Sequence, residues 1–241
     1  MSGEKSSPYY TNVEDFISIP TLGNAGDFGD TPVCSYGGAG CSSSTRGFKA
    51  GGYAPGGTSN VIESLEFATT GNAADFGNLS VGRFYLGSHS NTTRGLFGGG
   101  GTPTKQDEID YITMASAGNA TDFGDCGVEK QGLTSFGSPT RAIFAGGNTT
   151  PAIINVIEYV TIASTGDAQD FGDLTDARKS CKAISNNTRG VNAGGLDPGY
   201  SNILDYITIA STGNAADFGD LTVARARISG IGSDSHGGLE G

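Results

Sequence analysis

The sequence predicts an all-β fold, a five-bladed propeller of four-stranded blades, each 47–48 residues long. Three observations predict it. One phrase recurs five times, as GNAGDFGD (23–30), GNAADFGN (71–78), GNATDFGD (118–125), GDAQDFGD (166–173) and GNAADFGD (213–220). Successive Asp-Phe-Gly triplets lie 48, 47, 48 and 47 residues apart, so five units fill nearly all 241 residues. Gly supplies 41 residues, far above the ordinary ~7%, and short runs rich in Ile, Val, Phe and Tyr recur between the Gly-rich turns.

Each strand is justified within the unit. Strand a follows a mostly basic position seven residues beyond each Phe: Ser35, Arg83, Lys130, Arg178 and Arg225. In the last unit it is expected over 225–232. Strand b begins eleven residues later, at Arg46, Arg94, Arg141, Arg189 or His236, and runs into a diglycine such as Gly146-Gly147. Strand c is the strongest, as in Val156–Ile162 and Ile203–Ile209, because β-branched residues and Tyr suit a pleated, packed surface. Both of its side-chain parities are apolar, so it is expected to be covered on both faces. Strand d is expected to start near the Phe of the phrase and end near the next basic residue. The period varies by one residue only in the b–c connection, which also differs most in sequence; specificity is expected there.

The ends predict closure. Residues 226–241 supply strands a and b, and residues 10–33 supply strands c and d. Together they would form a fifth blade by a clasp that removes two open sheet edges. The whole of 1–241 is then one domain.

The series of basic residue, strand, diglycine, Tyr-containing strand, aromatic and Leu resembles the kelch repeat, with Phe28, Phe76, Phe123, Phe171 and Phe218 where kelch blades often carry Trp. The wording SNNTRG (185–190), AGG (193–195), NVIEYVTIASTGDAQDFGDLTDAR (155–178) and DYITIASTGNAADFGDLTVAR (205–225) resembles kelch-like repeats in virion and tail-fibre proteins of marine bacteriophages. The resemblance covers essentially the whole chain. It implies a virion component, whose partner would be a host-surface glycan or protein receptor, or other capsid or tail subunits. An intracellular kelch-type interaction scaffold, in the cytoplasm, is the further alternative. The plan is also similar to the tachylectin type of lectin, without a shared motif.

Charge and chemistry narrow the function. A net charge of −11 opposes phosphate backbones and anionic lipid, so neither nucleic acid nor a membrane surface is the expected partner. No apolar run reaches the ~18 residues of a membrane span, and the N-terminus has no signal-peptide core. Cys34, Cys41, Cys126 and Cys181 lack zinc spacing and are expected as free thiols. His89 and His236 are the only histidines and occupy different repeat positions. No Ser–His–Asp or Cys–His set can be assembled, and the copper site of kelch-like oxidases does not carry over. A non-enzymatic module is expected.

Within the phrase, Gly supplies backbone freedom, Phe packs between blades and Asp caps a turn. The same residues place oxygen ligands three apart, as Asp167, Asp170 and Asp173, which keeps calcium open as a cofactor. The Arg series is expected to meet phrase carboxylates across blades. The candidate ligand site is the b–c loop face, with Tyr53, Asn148, Thr149, Asp197 and Tyr200. Rings beside amides and carboxylates suit sugars. Deletion of residues 226–241 is expected to leave an open, aggregation-prone ring. A truncated chain that stays monomeric with an unchanged melting profile would sink the clasp.

Overall fold

The computed structural model describes residues 3–4 and 10–227, and every regular element among them is a β-strand. An N-terminal hairpin pairs Val13–Phe16 with Gly26–Asp30. Four antiparallel sheets follow, each with strands a, b, c and d in chain order. The first holds Ala39–Ser42, Arg46–Ala50, Val61–Glu66 and Ala74–Asn78. The second holds Gly87–Ser90, Arg94–Gly98, Glu108–Thr113 and Thr121–Asp125. The third holds Thr134–Gly137, Arg141–Ala145, Val156–Thr161 and Gln169–Asp173. The fourth holds Lys182–Ser185, Arg189–Ala193, Ile203–Thr208 and Ala216–Asp220.

The a strands of successive sheets lie side by side, which gives a propeller-like arrangement. They border a cavity of about 660 Å³ lined in part by Ser42, Ser88, Ser135 and Lys182. The closing strands expected over 226–241 fall, from 228 onward, outside the described residues. Strand c is covered on both faces as expected: Ile157 and Val160, of opposite parity, are both buried. Strand d is shorter than expected. It begins two residues before the Phe and ends two after it, because Leu174 then turns inward and its amide donates to Asn155 O, 2.8 Å.

The phrase is the joint between sheets. The Gly71 amide donates to Phe28 O, Gly118 to Phe76 O, Gly166 to Phe123 O and Gly213 to Phe171 O, at 2.7–2.8 Å. Two residues on, the Ala73, Ala120, Ala168 and Ala215 amides donate to Asp30, Asn78, Asp125 and Asp173 carbonyls, at 2.7–2.9 Å. Between them, Asn72, Asn119, Asp167 and Asn214 accept from those same residues' amides through Oδ1, all at 3.1 Å. The Gly after each Phe allows the approach. Gly77, Gly124 and Gly172 have φ of 142–153°, and a Cβ on any of them would collide with the facing Gly carbonyl. The Phe rings fill the joints: Phe76 shares a core with Ile112 and Ala120, Phe123 with Val160 and Ala168, Phe171 with Ile207 and Ala215.

Arg46, Arg94, Arg141 and Arg189 do not meet the phrase carboxylates, which corrects the sequence expectation; His236 lies outside the described residues. Arg94 lies opposite Thr113, so its diagonal neighbour on strand c is Tyr111, and the phrase Asp lies one strand further out. The Arg94, Arg141 and Arg189 guanidiniums stack on Tyr111, Tyr159 and Tyr206 at 4.4–4.7 Å. Arg94 and Arg141 also donate to Ile162 O and Ile209 O of the next sheet, both at 2.8 Å. The first sheet has Ser64 in place of the Tyr, and Arg46 pairs with Glu66 instead.

The carboxylates that the basic positions do meet lie on strand c. Arg83 pairs with Asp110 at 2.8 Å, Lys130 with Glu158 and Arg178 with Asp205, all buried. Where Ser35 replaces the base, Lys49 reaches from strand b to Glu63 at 3.2 Å. Removing one partner of a buried pair leaves an uncompensated charge. Asp205→Asn is therefore expected to cost about 3–5 kcal/mol in urea unfolding.

One buried carboxyl stands where the repeat wants an aliphatic side chain. Glu14 faces Gly29 in the register that Ile109 and Ile157 occupy opposite Gly124 and Gly172. It is 8% exposed, and its Oε2 has no hydrogen-bond partner among the described residues. Burial pushes its pKa up, Glu63 adds to this and Lys49 opposes it. A folded pKa above the unfolded value means that stability falls as pH rises through the folded value. Glu14→Leu is expected to raise the urea midpoint at neutral pH, with the gain shrinking toward about pH 4, where the native carboxyl is protonated. An equal gain at both pH values would contradict the assignment.

Candidate functional site

The b–c loops and the d–a connections meet on one face. Antiparallel bridges join Tyr36 to Tyr53, Phe84 to Gly101, Gln131 to Asn148 and Lys179 to Leu196. Next in the chain come Gly37, Tyr85, Gly132 and Ser180, and Arg227 holds the equivalent place in the last unit; all are left-handed with φ of 55–70°. Their backbones link into a chain around the centre. Tyr85 N donates to Gly37 O at 2.6 Å, Gly132 N to Tyr85 O at 2.8 Å, Ser180 N to Gly132 O at 2.7 Å and Arg227 N to Ser180 O at 2.9 Å.

On this face the first two sheets present four aromatic rings. Tyr36 lies 5.7 Å from Tyr53 and 6.2 Å from Tyr85. Phe84 lies 5.6 Å from Tyr53 and 4.8 Å from Tyr85. Tyr53 is 37% exposed and the other three rings are half-buried. Tyr85 occupies a position filled by Gly in two other units, and a bulky residue in that left-handed conformation costs on the order of 1–3 kcal/mol. The hydrogen bonds at its amide and carbonyl hold it there. Thr58 and Thr102 hydroxyls bond at 3.1 Å between the adjacent loops.

The structure distributes the sequence-predicted residues. Tyr53 joins the ring cluster. Asn148 is held by its backbone to Gln131, and Thr149 closes a turn on Ala152 O through its amide and hydroxyl, 2.8 and 2.9 Å. Lys105 of the neighbouring loop donates to Thr149 O and Thr150 Oγ1. Asp197 and Tyr200 sit in a separate small hairpin of the fourth sheet, both exposed. The five residues thus lie on one face without forming one site. Sequence reasoning missed Tyr36, Phe84 and Tyr85, which lie in d–a connections. The signal was present: Tyr36 and Phe84 immediately follow the Ser35 and Arg83 positions, where Gln131 and Lys179 stand in other units.

The acidic phrases are engaged in the joints. Asp167 Oδ1 accepts from the Asp125 amide, while the Asp173 amide donates to Asn214. Asp170 lies opposite Glu158 in the sheet. Asp75, Asp122 and Asp217 each cap their own turn by accepting from the Gly amide two residues on, at 3.0–3.1 Å. Among the described residues, no group of three or more His, Cys, Asp or Glu is placed to hold a metal ion.

Among the described residues, His89, Cys126 and Cys181 are buried. His89 is buried with Nε2 3.0 Å from Ser138 O of the next sheet. The cysteines are free. Burial pushes the Cys41 and Cys126 thiols up to about 12 and Cys181 to about 11, away from the reactive thiolate. No known protein family matches the chain, and no curated protein matches it.

Proposed function

We propose that the chain is a non-enzymatic binding module: a closed, five-bladed, kelch-like propeller of a phage virion or tail fibre that recognises a host-surface glycan. Its ligand face is the one carrying Tyr36, Tyr53, Phe84 and Tyr85. The observation that carries this reading is the ring cluster, with Tyr85 held in a strained backbone conformation. Strain of that kind is maintained by its surroundings and gathers at ligand sites. A ring covers the apolar face of a pyranose, and hydroxyl and ammonium groups such as Thr58, Thr102 and Lys105 bond its hydroxyls. The acidic surface favours a neutral or cationic ligand over an anionic one.

A glycan array tests the reading, run with calcium and again with chelator. A selective hit is expected. Asn tolerates the left-handed conformation, so Tyr85→Asn keeps the backbone and removes the ring. It is expected to weaken binding tenfold or more while the melting temperature moves by no more than about 4 °C. Tyr53→Ala should act in the same direction. A blank array from folded protein under both conditions would shift the reading to a virion protein that docks on other capsid or tail subunits.

A further inference from the structure

The four joints repeat one set of contacts, and both halves of a fifth set stand at the two ends of the array. On the fourth sheet, Phe218 is 52% exposed, whereas Phe76, Phe123 and Phe171 are buried. On the N-terminal hairpin and its turn, Ile17 is 67% and Ile19 83% exposed. Their counterparts at the joint between the third and fourth sheets, Ile207 and Ile209, are buried. Gly219 keeps the φ of its class, 134°, yet a Cβ there would meet nothing within 4 Å. Gly23 is the counterpart of Gly118, Gly166 and Gly213, the glycines that face Gly77, Gly124 and Gly172. Arg189 stacks on Tyr206 as Arg94 and Arg141 stack on their tyrosines. In register, the acceptor equivalent to Ile162 O and Ile209 O is Ile19 O.

We infer that the edge of the fourth sheet and the N-terminal hairpin of the same chain are the two halves of a fifth joint. The inference rests on the five-bladed reading above and names the contacts that close it. Gly23 N donates to Phe218 O, Ala25 N to Asp220 O and Asp220 N to Asn24 Oδ1. Phe218 packs on Ile17 and Ala25, and Arg189 donates to Ile19 O. At the centre, Gly37 N donates to Arg227 O and turns the chain of left-handed residues into a ring. Arg225 is placed for the matching ion pair. Its amide donates to Ser201 O and its carbonyl accepts from Gly195 N, both at 2.9 Å, as Arg178 bonds Ile154 and Gly147. The carboxylate in register with Asp205 is Asp15. The occupant is the chain's own other end because each half matches its counterparts residue by residue, down to a Gly facing a Gly.

Two measurements test this on the full chain. Amide hydrogen exchange at low concentration, with the mass verified as 24.4 kDa, reads Gly23, Ala25 and Gly37. They are expected to exchange within about tenfold of Gly71, Ala73 and Tyr85. The second is a matched pair. Gly172→Ala meets the Gly213 carbonyl, and Gly219→Ala has a similar φ without that neighbour unless the joint closes. Equal losses of melting temperature are expected. Rapid exchange at Gly23 and Ala25, or a clearly milder Gly219→Ala, overturns the inference. If Gly172→Ala does not fold, exchange decides alone. Protection that appears only as mass rises with concentration would make a second copy the occupant and also overturn it. Neither readout involves a ligand, so a blank glycan array with a protected seam fails the binding reading alone, and the reverse result fails the seam and the closed ring while the binding reading stands.

Discussion

The backbone contact between consecutive phrases is the constraint on which the rest of the structure depends. Each of the three inner phrases serves two joints at once. Its opening Gly-Asn-Ala reads the sheet before it, and its closing Asp-Phe-Gly-Asp is read by the sheet after it. Such a contact tolerates no Cβ at the Gly and no side chain too long to cap the facing amide. That is why eight residues recur almost unchanged while the b–c loops diverge. The phrase carries ten of the 25 acidic residues, yet its conserved chemistry is hydrogen bonding by short polar groups and not charge. Asn72, Asn119 and Asn214 do at their joints what Asp167 does at its own.

The buried ion pairs obey a second constraint, one of reach. Where the base is the longer Arg, the acid is the shorter Asp, and a Ser80 or Thr175 hydroxyl fills the remaining gap by bonding the same oxygen at 2.8 Å. Where the base is Lys, the acid is Glu, whose second oxygen takes the amide of Gly127 or Val33 directly. The first sheet carries this furthest. Ser35 has lost the base, and the cation returns from another strand as Lys49, in a register position that Phe97 and Phe144 occupy elsewhere. A buried carboxylate on strand c that bonds the incoming turn requires a cation, and the strand supplying it is free to change.

Much of the fold was legible because its determinants are local and repeated. Phrase, diglycine and strand c each carry their structural reason in residue type: left-handed glycines, β-branched residues and a short capping carboxylate. The partners were not legible. The spacing of Arg94 and Asp122 is as regular as that of Arg83 and Asp110, so periodicity alone could not say which cation meets which acid. Strand order decides that, by placing Tyr111 diagonally beside Arg94. Of the candidate site, Tyr53 was legible from its variable loop. Tyr36, Phe84 and Tyr85 were legible only as aromatic departures from the repeat, in a d–a connection whose constant length looks structural.

That concealment has a physical origin. The d–a connection must place one residue in the left-handed region so that its amide and carbonyl continue the central hydrogen-bonded chain. The requirement falls on the backbone alone, so the side chain is free wherever the left-handed cost can be met. Gly37 and Gly132 avoid the cost, whereas Ser180 and Tyr85 accept it. At Tyr85 the neighbours offset part of it, since the ring lies against Phe84 and Tyr36. This left-handed position is therefore also one where chemistry can change without disturbing a joint. A binding surface can vary there while every phrase, and the register it enforces, stays fixed.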